Sequence, residues 1–133
     1  MTTIIRLSKS SVGTEEALAL KAVIEAGYLG MGDQDQYFEE ELKDYLKTPY
    51  EVICVNTGTA ALHLALCALD LAPKDEVLVP SITYAASFQA VSAVGAIPVA
   101  CDVNFDNVFI DLEDAKSRIT ERTRAIMPVH YAS

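Results

Sequence analysis

The chain has 133 residues, one domain's worth and enough to bury a real core. It is 51% hydrophobic and 22% charged, which excludes a disordered polymer and fits a soluble globular protein. A formal charge of −9 leaves no basic footprint for nucleic acid, and no apolar run reaches membrane-spanning length.

Met1-Thr-Thr-Ile-Ile-Arg-Leu-Ser-Lys9 has no apolar core and no cleavage pattern, so no export signal is read. Thr14-Glu15-Glu16 reads as a cap with acids in the first turn of a helix that runs to about Ala26, where Gly27 ends it. Tyr28-Leu-Gly-Met-Gly-Asp33 is a loop with two glycines. A second helix, about Gln34 to Leu46, carries Phe38, Leu42 and Tyr45 at helical spacing, and Thr48-Pro49 breaks it.

Val52–Val55 reads as a buried apolar strand that runs through Asn56-Thr-Gly-Thr-Ala60 directly into a helix, Thr57–Leu69. Such a turn leaves backbone N–H groups at the helix start without partners, and the helix dipole adds positive potential there. Together they make an anion site. Gly58 admits a ligand to the backbone, while Thr57 and Thr59 offer hydroxyls. The turn lacks the Gly-Lys-Ser/Thr of a nucleoside-triphosphate loop and the G-x-G-x-x-G of a dinucleotide fold, so a single phosphate on a compact cofactor is the expected ligand. A small polar cap of this kind also occurs in βα turns that bind nothing.

The alternation then continues: strand Glu76–Val79 ending at Pro80, a helix from about Tyr84 to Val94 closed by Gly95, and a strand Ile97–Cys101. Asp111 caps a helix through about Ile119, with Asp114 as an imperfect capping box, and Arg124–Val129 is a last strand. This rhythm predicts an α/β fold with a mostly parallel sheet flanked by helices. Ligands of open parallel sheets bind at the carboxyl ends of the strands. Asn56–Ala60, Pro80–Tyr84 and His130-Tyr131 all fall there. Cys54, Cys67 and Cys101 are scattered, without a C-x-x-C pair. They read as small buried hydrophobes in a reducing, cytoplasmic compartment and form no metal site.

Gly27…Gly32…Phe38-Glu39, Asn56-Thr-Gly-Thr-Ala-Ala-Leu62 and Asp75-Glu-Val-Leu-Val-Pro-Ser-Ile-Thr-Tyr84 come in an order and spacing that resembles the DegT/DnrJ/EryC1/StrS sugar aminotransferases. Gly95-Ala-Ile-Pro-Val, Asp102-Val, Ile119-Thr-x-x-Thr-Arg-Ala-Ile and Val129-His-Tyr-Ala132 continue the register, from about Leu7 to Ala132. The resemblance implies the N-terminal part of the type I aminotransferase large domain: a helical segment over 1–50, then the first βα units of the domain that binds pyridoxal 5′-phosphate over 51–133. It implies transfer of an amino group, usually from glutamate, to a nucleotide-linked keto sugar for polysaccharide or amino-sugar synthesis, in a homodimer. Gly58, Thr59 and Ala60 would hold the cofactor phosphate. Tyr84 would stack on the pyridine ring, where the residue pattern alone offers a core aromatic at a strand-to-helix corner. Gly30 and Met31 fall on the substrate-side loop, whose glycines could equally serve backbone geometry alone. His130 reads as a satisfied half-buried histidine, and His63 is assigned no chemistry. The family often has glycine where this chain has Lys74 and commonly continues with glycine where it has Ser133.

The same resemblance implies what lies outside these residues. The family's Schiff-base lysine and the carboxylate that keeps the pyridine nitrogen protonated fall beyond position 133, and Lys9, Lys21, Lys43, Lys47 and Lys74 do not match the catalytic position. No catalytic residue is therefore assigned within the chain. Alone it is expected to be inactive, with an exposed sheet edge and apolar surface. A sugar dehydratase of the same family, with histidine replacing that lysine, and a shortened non-catalytic binding module are the alternatives. A doubly wound nucleotide-binding domain fits poorly, because the first βα turn has only Gly58.

Overall fold

The computed structural model describes residues 9–131, so the residues read for an export signal lie mostly outside it, as do Ala132 and Ser133. The chain divides between Cys54 and Val55 into two compact units.

The first unit holds α1 (Thr14–Ala26) and α2 (Asp33–Leu46). The cap of α1 is Gly13, one residue before the expected Thr14. Its N–H donates to the Glu16 carboxylate at 2.6 Å, the reciprocal bond of a capping box, and Thr14 is already inside the helix. Gly32 opens α2 in the same way, with its N–H donating to Asp35 at 3.0 Å. Gly27 adopts φ +76°, the left-handed turn that ends α1. Neither helix carries a buried residue, and Phe38 and Tyr45 are exposed.

The expected buried strand Val52–Val55 does not form. Among the described residues it has no ladder partner, and Ile53 is 74% exposed. An apolar run becomes a strand only when neighbouring backbone satisfies its N–H and C=O groups. Here the Cys54 N–H donates instead to the Glu39 side chain at 2.6 Å, and Lys43 pairs with Glu51 at 2.6 Å, which ties the run to α2.

The second unit is built as α3 (Gly58–Cys67), β1 (Glu76–Pro80), α4 (Ala86–Ala93), β2 (Ile97–Cys101), α5 (Leu112–Ser117) and β3 (Thr123–Ile126). The three strands form a parallel sheet in the order β2-β1-β3. Central β1 is buried along its whole length, as a parallel strand covered on both faces must be. Val77 and Val79 point to one face and pack with Leu66, Ala90, Val91 and Ala96, which brings α3 and α4 onto the sheet. Leu78 points to the other face and packs with Cys101 and Ala115 of α5.

The helices run shorter than their apolar patterns. α3 stops at Cys67, and Asp70 then takes φ +49°. α4 starts at Ala86 because the Ser87 N–H donates to the Tyr84 carbonyl, leaving Tyr84 in the turn before it. Asp111 caps α5 as expected, accepting from the N–H groups of Glu113 and Asp114 at 2.8 and 3.1 Å. Asp114 does not complete a capping box. Its carboxylate accepts from Arg118 and from the Asp102 N–H at 2.6 Å, and those bonds hold it below the usual carboxylate range. β3 ends at Ile126, three residues earlier than the apolar run to Val129.

A buried carboxylate anchors the amino ends of the strands. Glu76 is only 4% exposed and accepts from Thr120 Oγ1 at 2.6 Å and Arg122 Nε at 2.8 Å. The Thr120 hydroxyl and then the Arg122 guanidinium hold it ionised to below its ordinary pKa of 4.5. Beside it, Arg124 lies 3.5 Å from Asp75. Sequence periodicity marked Glu76 only as the first residue of a strand; its partners are 44 and 46 residues away. Among the described residues no buried side-chain polar atom lacks a partner.

Candidate functional site

Two of the expected segments lie in the second unit, one at the start of α3 and one just before α4, and these two helices pack together. Thr57 stands in extended backbone as the cap of α3, and its Oγ1 accepts from the Ala60 N–H at 3.0 Å. The Thr57 carbonyl takes the next N–H, that of Ala61, at 3.0 Å. The Gly58 and Thr59 N–H groups therefore remain at the helix start, and they meet no acceptor among the described residues. Both residues are exposed. A Cβ added at Gly58 would meet nothing within 4 Å, so the approach to these amides is open. Ala60 has already donated its N–H to Thr57; what it adds is a small, half-buried side chain beside the opening. This pair of amides, backed by a ten-residue helix, fits a phosphate group.

Tyr84 leaves the carboxyl end of β1 just before α4, and α4 packs against α3. Its ring is 82% exposed, so it is not a core aromatic of this unit. The turn that carries it is fixed by two contacts of Ser87. The Ser87 N–H donates to the Tyr84 carbonyl at 3.0 Å, and Ser87 Oγ lies 2.8 Å from Thr83 Oγ1.

The remaining candidates behave differently. His130 follows β3 and is exposed, not half-buried; its ring meets Phe109 edge-on at 6.3 Å. His63 is half-buried on α3. Asp102 accepts from its neighbour Val103 N–H at 2.8 Å. Of the cysteines, Cys101 is buried, Cys54 half-buried and Cys67 exposed, so only Cys101 matches the expected buried hydrophobe. Burial pushes the Cys101 thiol up. Lys116, the sixth lysine of the chain, lies on α5 and pairs with Glu113 at 2.7 Å. Among the described residues no cluster of His, Cys, Asp or Glu could hold a metal ion.

Within the first unit, Gly30 and Gly32 lie under the Tyr28 ring. A Cβ at Gly32 would stand 3.1 Å from Tyr28 Cδ1, and one at Gly30 would stand 3.4 Å from the Tyr28 hydroxyl. Leu20, Val23, Tyr28, Leu29, Gly30 and Gly32 line an open cleft of about 860 Å³. Met31 is 72% exposed and is not in its wall.

A parallel sheet with α3 and α4 on one face and α5 on the other is an α/β domain of the type I aminotransferase fold. The chain belongs to the DegT/DnrJ/EryC1/StrS aminotransferase family, whose profile matches residues 10–133. It is similar to Spr1654 from Streptococcus pneumoniae, described as a sugar aminotransferase and solved in its PMP form. The two are 35% identical with a TM-score of 0.88, over 96% of this chain and 32% of that one. DesV of S. venezuelae is 42% identical at a TM-score of 0.81, over 88% of this chain and 31% of its own. A GDP-4-keto-6-deoxy-D-mannose-3-dehydratase from E. coli, with bound hydrated PLP, shares the fold at a TM-score of 0.84 and 23% identity, over 92% of this chain and 33% of its own. The chain thus spans about a third of the length of the structures it matches. No helix among its described residues is long and apolar enough to cross a membrane.

Proposed function

We propose that residues 1–133 form the first part of an aminotransferase that uses pyridoxal 5′-phosphate to move an amino group, from glutamate, onto a nucleotide-linked keto sugar. In this reading residues 1–50 are its N-terminal helical segment and 51–133 the first βα units of the cofactor-binding large domain. The observation that carries it is the family match across residues 10–133, in which the Asn56–Leu62 motif falls on the start of α3 and the Asp75–Tyr84 motif on β1 and the turn after it.

Each residue then has a task. The Gly58 and Thr59 amides bind the cofactor phosphate, with the α3 dipole behind them. Thr57 holds the first turn in shape by capping Ala60. Tyr84 covers one face of the pyridine ring and excludes water from it. When bound, the cofactor supplies an electron-withdrawing ring that stabilises negative charge beside an amino group. The covalent lysine and the acid facing the ring nitrogen belong to the part of the enzyme beyond residue 133, so this chain alone is inactive. Gly30, in the cleft wall, and Met31, on the exposed loop, contact the sugar substrate. The enzyme works in the cytoplasm as a homodimer and serves polysaccharide or amino-sugar synthesis.

The dehydratase alternative has less support, because the neighbours at 35% and 42% identity are a sugar aminotransferase and DesV, while the dehydratase stands at 23% and shares the fold. Expressing the whole reading frame that contains these residues tests the choice. Glutamate-dependent appearance of an amino sugar on a nucleotide supports the proposal. Loss of a sugar hydroxyl without amine transfer replaces it with the dehydratase.

A further inference from the structure

The turn after β1 poses a physical problem. Tyr84 is 82% exposed, so no packing within its own unit holds the ring in one place. An aromatic that stacks on a ligand works best when its position is fixed before the ligand arrives, because ordering a free side chain subtracts from binding. What restrains Tyr84 is therefore its backbone, and both restraints come from one residue.

Ser87 is 5% exposed in the first turn of α4, and Tyr84 O accepts its N–H at 3.0 Å. Its hydroxyl reaches Thr83 Oγ1 at 2.8 Å. The two bonds grip Tyr84 from its carbonyl and from the residue before it. The amide bond would survive any replacement of Ser87 except proline, whereas the hydroxyl bond is specific to a hydroxyl at both 83 and 87. Among the described residues Ser87 and Glu76 are the buried polar ones, in a core of otherwise apolar side chains. Alanine, with its stronger helix propensity, would serve the helix better.

We propose that Ser87 is a positioning residue, whose hydroxyl bond to Thr83 holds the Tyr84 ring where a pyridine ring bound at Gly58 and Thr59 can stack on it. The proposal rests on the cofactor reading given above. It assigns Ser87 and Thr83 no contact with the cofactor. They act through the turn, and losing their bond lets the ring sample other directions while the fold persists.

The test uses the 133-residue chain and pyridoxine 5′-phosphate, which has the ring and phosphate of the cofactor but no aldehyde to react with surface lysines. Stacking on Tyr84 moves the probe's ring-proton resonance upfield, and a purely structural contribution of Ser87 would not change that shift at saturation. The expected result is an upfield shift in the wild-type chain that is lost in Tyr84→Leu. It should also be largely lost in Ser87→Ala and Thr83→Val and retained in Thr83→Ser, which keeps the hydroxyl. Affinity should fall about two- to tenfold in the two hydroxyl-free variants, the size of one hydrogen bond. If Ser87→Ala does not fold by circular dichroism, Thr83→Val carries the test, since its side chain is isosteric.

A full shift in both hydroxyl-free variants, with loss in Tyr84→Leu, overturns the role of Ser87 and leaves the cofactor reading standing. A wild-type shift that Tyr84→Leu does not reduce overturns stacking on Tyr84, and the proposal with it. No shift in the wild-type chain, while inorganic phosphate still moves the Gly58 and Thr59 amides, likewise refutes both stacking and the proposal but keeps the phosphate site. Silence to both probes removes the site altogether.

Discussion

Lys74 stands where backbone geometry calls for glycine. Ala72-Pro73-Lys74-Asp75 is a turn closed by the Asp75 N–H donating to the Ala72 carbonyl at 3.0 Å, with Lys74 at φ +81°. Proline second and a positive φ third is the type II pattern, which favours glycine at the third place. An L-residue in the left-handed region costs roughly 1–2 kcal/mol. Glycine gives back roughly 0.5–1 kcal/mol through its freer unfolded chain. Lys74→Gly should thus stabilise the chain by about 0.5–1 kcal/mol, a rise in melting temperature of about 2–5 °C. Lys74 is exposed, and its removal also takes away one positive charge from an acidic protein. Lys74→Ala is the control, since it loses the same charge and keeps the Cβ. Urea unfolding followed by circular dichroism should rank glycine above alanine, with alanine near wild type. Alanine equal to or above glycine would refute the argument, because only the Cβ separates the two.

Glu76 gives a pH dependence. Its folded pKa lies below the ordinary 4.5, so the carboxylate contributes stability in full above the unfolded value, and that stability disappears as pH falls through the folded one. Glu76→Gln should be less stable than wild type at neutral pH, and the gap between them should close below about pH 4.5, as read by acid titration of the unfolding midpoint. Leu78→Ala empties a site that is 2% exposed beneath α5 and should cost about 2–5 kcal/mol by urea denaturation. Asp111→Ala removes both cap bonds of α5 and should cost about 0.5–2 kcal/mol in the same assay. Gly58→Ala should leave stability unchanged or raise it by up to about 1 kcal/mol, since the space is open and alanine favours helix. The same change should weaken binding of pyridoxine 5′-phosphate, measured by calorimetry.

The sequence was most legible where local pattern and tertiary demand agree. β1 announced itself as an apolar run between a turn and Pro80, and burial on both faces is what such a run requires in a parallel sheet. Asp111 was legible because a cap is local: the residue that satisfies a helix end is within three positions of it, although the cap of α1 fell one residue before Thr14 and Thr57, expected as the first residue of its helix, is its cap. Legibility failed where a partner decides the outcome. Val52–Val55 has the composition of a strand, but composition does not supply a neighbouring ladder, and the run lies against α2 instead. Glu76 looked unremarkable because Thr120 and Arg122 are distant in sequence. The late start of the fourth helix, at Ala86 and not Tyr84, depended on the Ser87 contacts, which no periodicity encodes. At the candidate site, Gly58 and Thr59 came from the turn chemistry. Tyr84 came only from register with a family, because an exposed aromatic and a core aromatic look alike in sequence.

The central claim is that the amides opening α3 hold the phosphate of the cofactor. Its most direct test is a ¹H–¹⁵N titration of the isotopically labelled chain with pyridoxine 5′-phosphate, alongside pyridoxine without the phosphate. The account predicts saturable shifts centred on the Gly58 and Thr59 amides with the phosphorylated probe, and none there with the other. Equal shifts with both probes, or shifts that leave Gly58 and Thr59 unmoved, would contradict it.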